Sequence, residues 1–187
     1  MQTVTYQVIR SSRKTMALQV RPDGTVIVRC PRRLPDREIR EFVESKRQWL
    51  TLHLNRILAR PRMAPLTEAE KKALAAQAKN ILPRKAEFWA GQVRVSYGRI
   101  TIRMQKTRWG SCSAEGNLNF NLLLMLAPEP IQDYVVVHEL CHRKEMNHSA
   151  RFWAEVEKVL PDYRARVRWL KDNGGSLMLR GFGEELG

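Results

Sequence analysis

Eleven residues, His138-Glu-Leu-Cys-His142-Arg-Lys-Glu-Met-Asn-His148, hold three of the four histidines in the 187-residue chain. They also restrict its local fold. Residues four apart share one face of an α-helix, one turn above each other, so a helix here aims His138 and His142 at a single point. The apolar run Tyr134-Val-Val-Val137 just before them marks that helix as a buried one. Pro128-Glu-Pro130 suits its first turn, and the pattern runs from Ile131 to about Met146. Asn147 is read as a left-handed stop that turns the chain and returns His148 to the point faced by the other two imidazoles. Three nitrogen ligands with a fourth position open are the donor set of one catalytic zinc ion. Glu139, next to the first histidine, can reach a water on such an ion without ligating it, which makes it the candidate catalytic base.

Other residues compete for these roles. Cys141 lies three positions after His138 and suits a small buried residue on the core side of the helix better than a thiolate ligand. Glu155 and Glu157 on a later helix are the alternatives to His148 as third ligand. His53 lies beside an apolar stripe far from the others and receives no chemical role.

The first thirty residues read as a small antiparallel sheet, with strands at Val4–Ile9, Ala17–Val20 and Thr25–Val28 and a turn at Pro22-Asp-Gly24. From Asp36 a single helix follows, its apolar positions Ile39, Phe42, Val43, Leu50, Leu54, Ile57 and Leu58 recurring at helical spacing. Prolines 61 and 65 mark a linker. The expected organisation is an N-terminal unit over 1–62, a larger unit over 66–175 and a loose tail over 176–187. In the larger unit Thr67 and Glu70 form a capping box, and Pro83 is expected to kink or restart the helix they open. Arg99–Met104 alternates like a strand, and Trp109–Cys112 is expected to pair with Leu118–Phe120 across the Ala114-Glu-Gly-Asn117 turn. Ser149 can cap a helix ending at Pro161, and a last short helix is expected to stop at Asn173-Gly-Gly175.

Composition narrows the class. The longest apolar run, Leu122–Ala127, is far below the roughly 20 residues of a membrane span, and Met1–Gln7 has no signal-peptide core. Three scattered cysteines make neither a disulfide framework nor a Cys-x-x-Cys zinc pair. A soluble cytoplasmic protein with no membrane partner is expected. The net charge of +14 is a field that attracts polyanions, nucleic acid among them, although basic residues are spread along much of the chain.

Arg108-Trp-Gly-Ser-Cys-Ser113, Gly116-Asn-Leu-Asn119, Asp133 to His142, Asn147-His-Ser149, Phe152-Trp153, Pro161-Asp-Tyr163 and Trp169-Leu-Lys171 together resemble the YgjP-like metal-dependent hydrolases, a zincin-type metallopeptidase family. The N-terminal patterns Val8–Lys14, Pro22-Asp-Gly24 and Val26–Val28 extend the resemblance over nearly the whole chain. It implies an α+β fold in which a zincin-like catalytic domain packs its HExxH helix on a mixed or antiparallel sheet, beside a small β-rich N-terminal unit. It also implies zinc at His138, His142 and His148 with Glu139 as base. The spacing of the third histidine also matches the metzincins, but Glu145 stands where that group has glycine.

The expected function is a zinc-dependent metallopeptidase acting on a peptide or protein substrate. Arg108, Tyr134 and Tyr163 are candidate donors to the oxyanion, and the strand near Trp109 is a candidate edge for peptide pairing. One alternative is hydrolysis of a nucleoside triphosphate at its phosphoanhydride, with Arg108, Arg143 and Lys144 holding phosphate in place of a glycine-rich loop. Another is a nucleic-acid-associated protein using its basic surface, with the protease recruited to DNA.

Overall fold

The computed structural model describes residues 5–21, 23–59 and 64–183, and the chain divides into two compact units, Met1–Met63 and Ala64–Gly187. In the first, strands β1 (Tyr6–Ser11), β2 (Ala17–Val20) and β3 (Val26–Pro31) form a sheet in the order β1-β3-β2. The sheet is mixed rather than antiparallel. β2 and β3 make the expected antiparallel hairpin, with the Gly24 N–H donating to the Arg21 carbonyl at 2.9 Å, but β1 runs parallel to β3, pairing Tyr6 with Val26. The reason lies in β3, whose Val26, Ile27, Val28 and Cys30 are all buried, so the most apolar strand takes the centre and is paired on both edges.

The single helix expected over 36–58 is two, α1 (Asp36–Ser45) and α2 (Arg47–Leu58). The Ser45 hydroxyl donates to the Phe42 carbonyl at 2.7 Å, diverting the last turn, and Lys46 leaves helical geometry with ψ near 8°. Ile39 and Val43 of α1 and Leu50 of α2 cover the β3 face that carries Val26, Val28 and Cys30.

The second unit opens with α3 (Glu68–Val93), whose N-terminus is closed by the capping box of Thr67 and Glu70. Pro83 does not restart it. The helix is continuous because Ala78, Leu82, Ala86, Ala90 and Val93 bury one long stripe, and that packing outweighs one missing backbone hydrogen bond. Strands β4 (Ile100–Arg103), β5 (Gly110–Cys112) and β6 (Leu118–Asn121) follow, in the order β4-β6-β5, with β4 parallel and β5 antiparallel to β6. The apolar run after β6 is a short 3-10 helix, Leu122–Leu126, started by the Asn121 side chain accepting from the Leu123 N–H.

Helix α4 (Glu129–Cys141) carries the first two histidines and packs against α3 and β5. Lys85 of α3 reaches both Asp133 and Glu129 at 2.7 and 2.8 Å, and the Trp89 indole N–H donates to Asp133 at 3.1 Å. These contacts fix the helix about its axis. Helices α5 (Ala150–Val159) and α6 (Tyr163–Phe182) complete the unit. The short last helix and loose tail expected near Asn173 are corrected: α6 runs through Asn173-Gly174-Gly175 to Phe182. Its glycines are approach points, since a β-carbon on Gly174 would meet Trp109 at 3.2 Å and one on Gly181 would meet Leu123 at 2.5 Å. No helix among the described residues is long and apolar enough to cross a membrane.

Candidate metal centre

The tight turn after α4 brings the third histidine to the first two. The helix ends at Cys141 rather than near Met146, with His142 in its cap, and the N–H groups of Arg143 and Lys144 bond the carbonyls of Leu140 and Cys141. The turn uses ordinary backbone angles: Arg94 is the only non-glycine with positive φ among the described residues, so the left-handed stop expected at Asn147 is absent. His142 helps to shape the turn, because its Nδ1 lies 3.0 Å from the Glu145 carbonyl. A carbonyl only accepts, so Nδ1 carries the proton and Nε2 presents a bare lone pair.

One ligand nitrogen from each of His138, His142 and His148 lies within 4.8 Å of the others, and the Nε2 atoms of His138 and His148 are 2.9 Å apart. Phe152 of α5 forms a common floor, its ring centroid 4.8, 4.6 and 4.8 Å from those of His138, His142 and His148. The Ser149 hydroxyl accepts from the Phe152 N–H and anchors the start of α5 next to His148. Burial drives the His138 imidazole down to about 3, helped by the facing His142 and His148, and burial also lowers His142. The pair is therefore neutral at physiological pH, and converging neutral imidazoles fit a borderline-soft divalent ion such as zinc.

The three histidines and Glu139 face a cleft of about 250 Å³ whose other walls are Arg108, Gly110, Ser111, Cys112 and Met146. Glu139 is buried, and desolvation pushes its carboxyl up to about 8 against the opposing pull of Arg108. Gly110 gives it room, since a β-carbon there would lie 2.7 Å from both Cγ and Oε1 of Glu139. The need for glycine at 110 and the Phe152 floor are the features that sequence reasoning missed, though both residues lie in the runs that carried the family resemblance.

The remaining candidates fall elsewhere. Glu155 is held by Lys144 at 2.7 Å and by Lys158, and Glu157 by Arg164 at 3.6 Å. Neither glutamate belongs to the histidine group. Cys141 is fully buried, its thiol pushed up to about 12 by burial. The Tyr134 hydroxyl sits 3.3 Å from His138 Nδ1, and Tyr163 stacks on Trp153 while accepting from Arg164. Arg143 donates to the carbonyls of Ser96 and Ala114, and Lys144 is occupied by Glu155. Of the three oxyanion donors and three phosphate binders named from sequence, only Arg108 lines the cleft. His53 lies in the N-terminal unit, stacked on Trp49.

A family model of the YgjP-like metallopeptidase domain matches residues 14–74 and 66–173. The chain belongs to the YgjP-like metallopeptidase family. Membership makes this YgjP-like protein a hydrolase of metallopeptidase type, and the family implies a bound metal ion. Among solved structures, the metallopeptidase zymogen abylysin of Pyrococcus abyssi is 24% identical over 49% of this chain and 93% of its own, with a TM-score of 0.45. The zymogen jannalysin of Methanocaldococcus jannaschii is 18% identical over 46% and 93%, with a TM-score of 0.40. No curated protein sequence matches this YgjP-like chain.

Proposed function

We propose that the protein is a zinc-dependent metallopeptidase in which His138, His142 and His148 hold one zinc ion and Glu139 is the general base. The observation that carries this reading is the convergence of three imidazole nitrogens beside a buried glutamate in one cleft. When bound, the ion supplies Lewis acidity that makes water acidic near neutral pH and polarises the scissile carbonyl. Glu139, buried and of raised basicity, takes a proton from the attacking water and returns it to the leaving amine. Tyr134 fixes the orientation of His138 through Nδ1, which supports its placement as a positioning residue rather than an oxyanion donor.

Peptide binding has a template. Among the described residues β5 is an edge strand, paired only to β6, and Gly110, Ser111 and Cys112 along it line the cleft. An extended peptide laid against its free edge adds a strand to the sheet and passes its backbone before Glu139. A triphosphate finds less support, because Arg143 and Lys144 are bonded to other partners away from the cleft.

The test compares zinc-loaded wild type with Glu139→Gln on a panel of unfolded proteins, peptides and nucleoside triphosphates. Peptide cleavage by wild type is expected, with kcat lowered on the order of 10²- to 10⁴-fold in the variant and zinc content retained. His138→Ala should empty the site. Triphosphate hydrolysis without peptide cleavage, or stoichiometric zinc in His138→Ala, overturns the proposal.

A further inference from the structure

Arg108 stands apart from the other cations near the cleft. Its backbone is fixed: the buried Asn121 amide donates to the carbonyls of Arg108 and Gln105 at 2.9 and 2.7 Å, and neighbouring Trp109 packs on Gly174 of α6. Its guanidinium is exposed on the cleft wall and makes no hydrogen bond or ion pair among the described residues. The other two cations named as phosphate binders are engaged, Arg143 with the carbonyls of Ser96 and Ala114 and Lys144 with Glu155, and neither lines the cleft. Arg108 lies near enough to Glu139 to oppose its protonation, yet it does not neutralise that carboxyl by contact.

A cation on an anchored backbone, with open donors at the mouth of a binding cleft, has a ready complement. A guanidinium offers a planar fork that matches one carboxylate in bidentate fashion. A triphosphate presents several charges and needs several cations, whereas this cleft holds a single one among its walls. From this arrangement we infer that Arg108 determines specificity by anchoring one carboxylate of the peptide beside the scissile bond. The carboxylate belongs either to an acidic side chain or to a free C-terminus, which share this chemistry. The inference rests on the peptidase reading above and names its substrate class.

The experiment measures binding rather than turnover, in zinc-loaded Glu139→Gln protein, so that the effect of Arg108 on the charge of Glu139 does not enter. Labelled peptides are compared by fluorescence anisotropy. One Glu is moved along a neutral sequence beside its Gln twin, and a second set compares a free C-terminus with an amidated one. At one position, or in the free C-terminal set, the acidic peptide is expected to bind about 10-fold tighter than its twin, the size of one charge-assisted hydrogen bond. The difference should shrink with salt, vanish when Arg108→Gln is added, and reverse toward Lys-bearing peptides in Arg108→Glu. Whichever set shows the preference identifies the carboxylate. Equal binding of twins, or a preference that survives Arg108→Gln, overturns the anchor and leaves the peptidase reading standing. Failure of every peptide to bind overturns that reading and the anchor with it. Because Arg108 is exposed, circular dichroism and zinc content are expected to be unchanged in both variants.

Discussion

A methyl group on Gly110 would occupy the space now filled by the Glu139 side chain. The clash falls on the Glu139 side chain, at Cγ as well as at the carboxyl, so that side chain would have to swing aside while β5 stays paired with β6. Gly110→Ala is therefore expected to keep its zinc and its melting temperature while losing on the order of 100-fold in kcat/KM, the cost of misplacing a reacting group by about 1 Å. Steady-state kinetics beside metal analysis checks this; unchanged kinetics would mean that Glu139 has room to spare. At the same scale the histidine spacing was legible in the sequence, because the reach of two imidazoles across one helical turn is local geometry. The clearance between Gly110 and Glu139, 29 residues apart, was not, since it exists only where β5 crosses α4.

Among the elements, helix starts closed by a side-chain cap read well and helix ends read poorly. The Thr67 and Ser149 caps were visible because each is a hydrogen bond within three residues. The ends of α4 and α6 were not. α4 stops early because His142 and Glu145 form a turn of their own, and α6 continues through two adjacent glycines because Trp109 and Leu123 hold it in place. Two glycines in helices should accordingly behave in opposite ways. A β-carbon on Gly91 of α3 meets nothing within 4 Å, so Gly91→Ala should stabilise by about 0.5–1 kcal/mol through helix propensity. Gly181→Ala should destabilise by about 1–3 kcal/mol through overpacking against the fully buried Leu123. Denaturant titration of the two variants gives both signs in one experiment.

For the whole molecule, the division into two units has a functional consequence. Every residue of the candidate metal centre lies in 64–187, which has its own apolar core from Leu66 to Met178. A fragment of residues 64–187 is expected to fold cooperatively and bind one zinc ion, as judged by circular dichroism and metal titration; an unfolded or metal-free fragment would show that the N-terminal unit is required. The sequence by itself determined the α+β class, the strand pair at 109–120 and the grouping of three histidines with Glu139, all set by periodicity or by spacings of a few residues. Only the tertiary structure decided that β1 lies parallel to β3, that Phe152 underlies all three imidazoles and that Arg108 alone of the named cations faces the cleft. Those outcomes depend on which surfaces meet across tens of residues, and burial and close packing decide that competition after the local pattern has been spent.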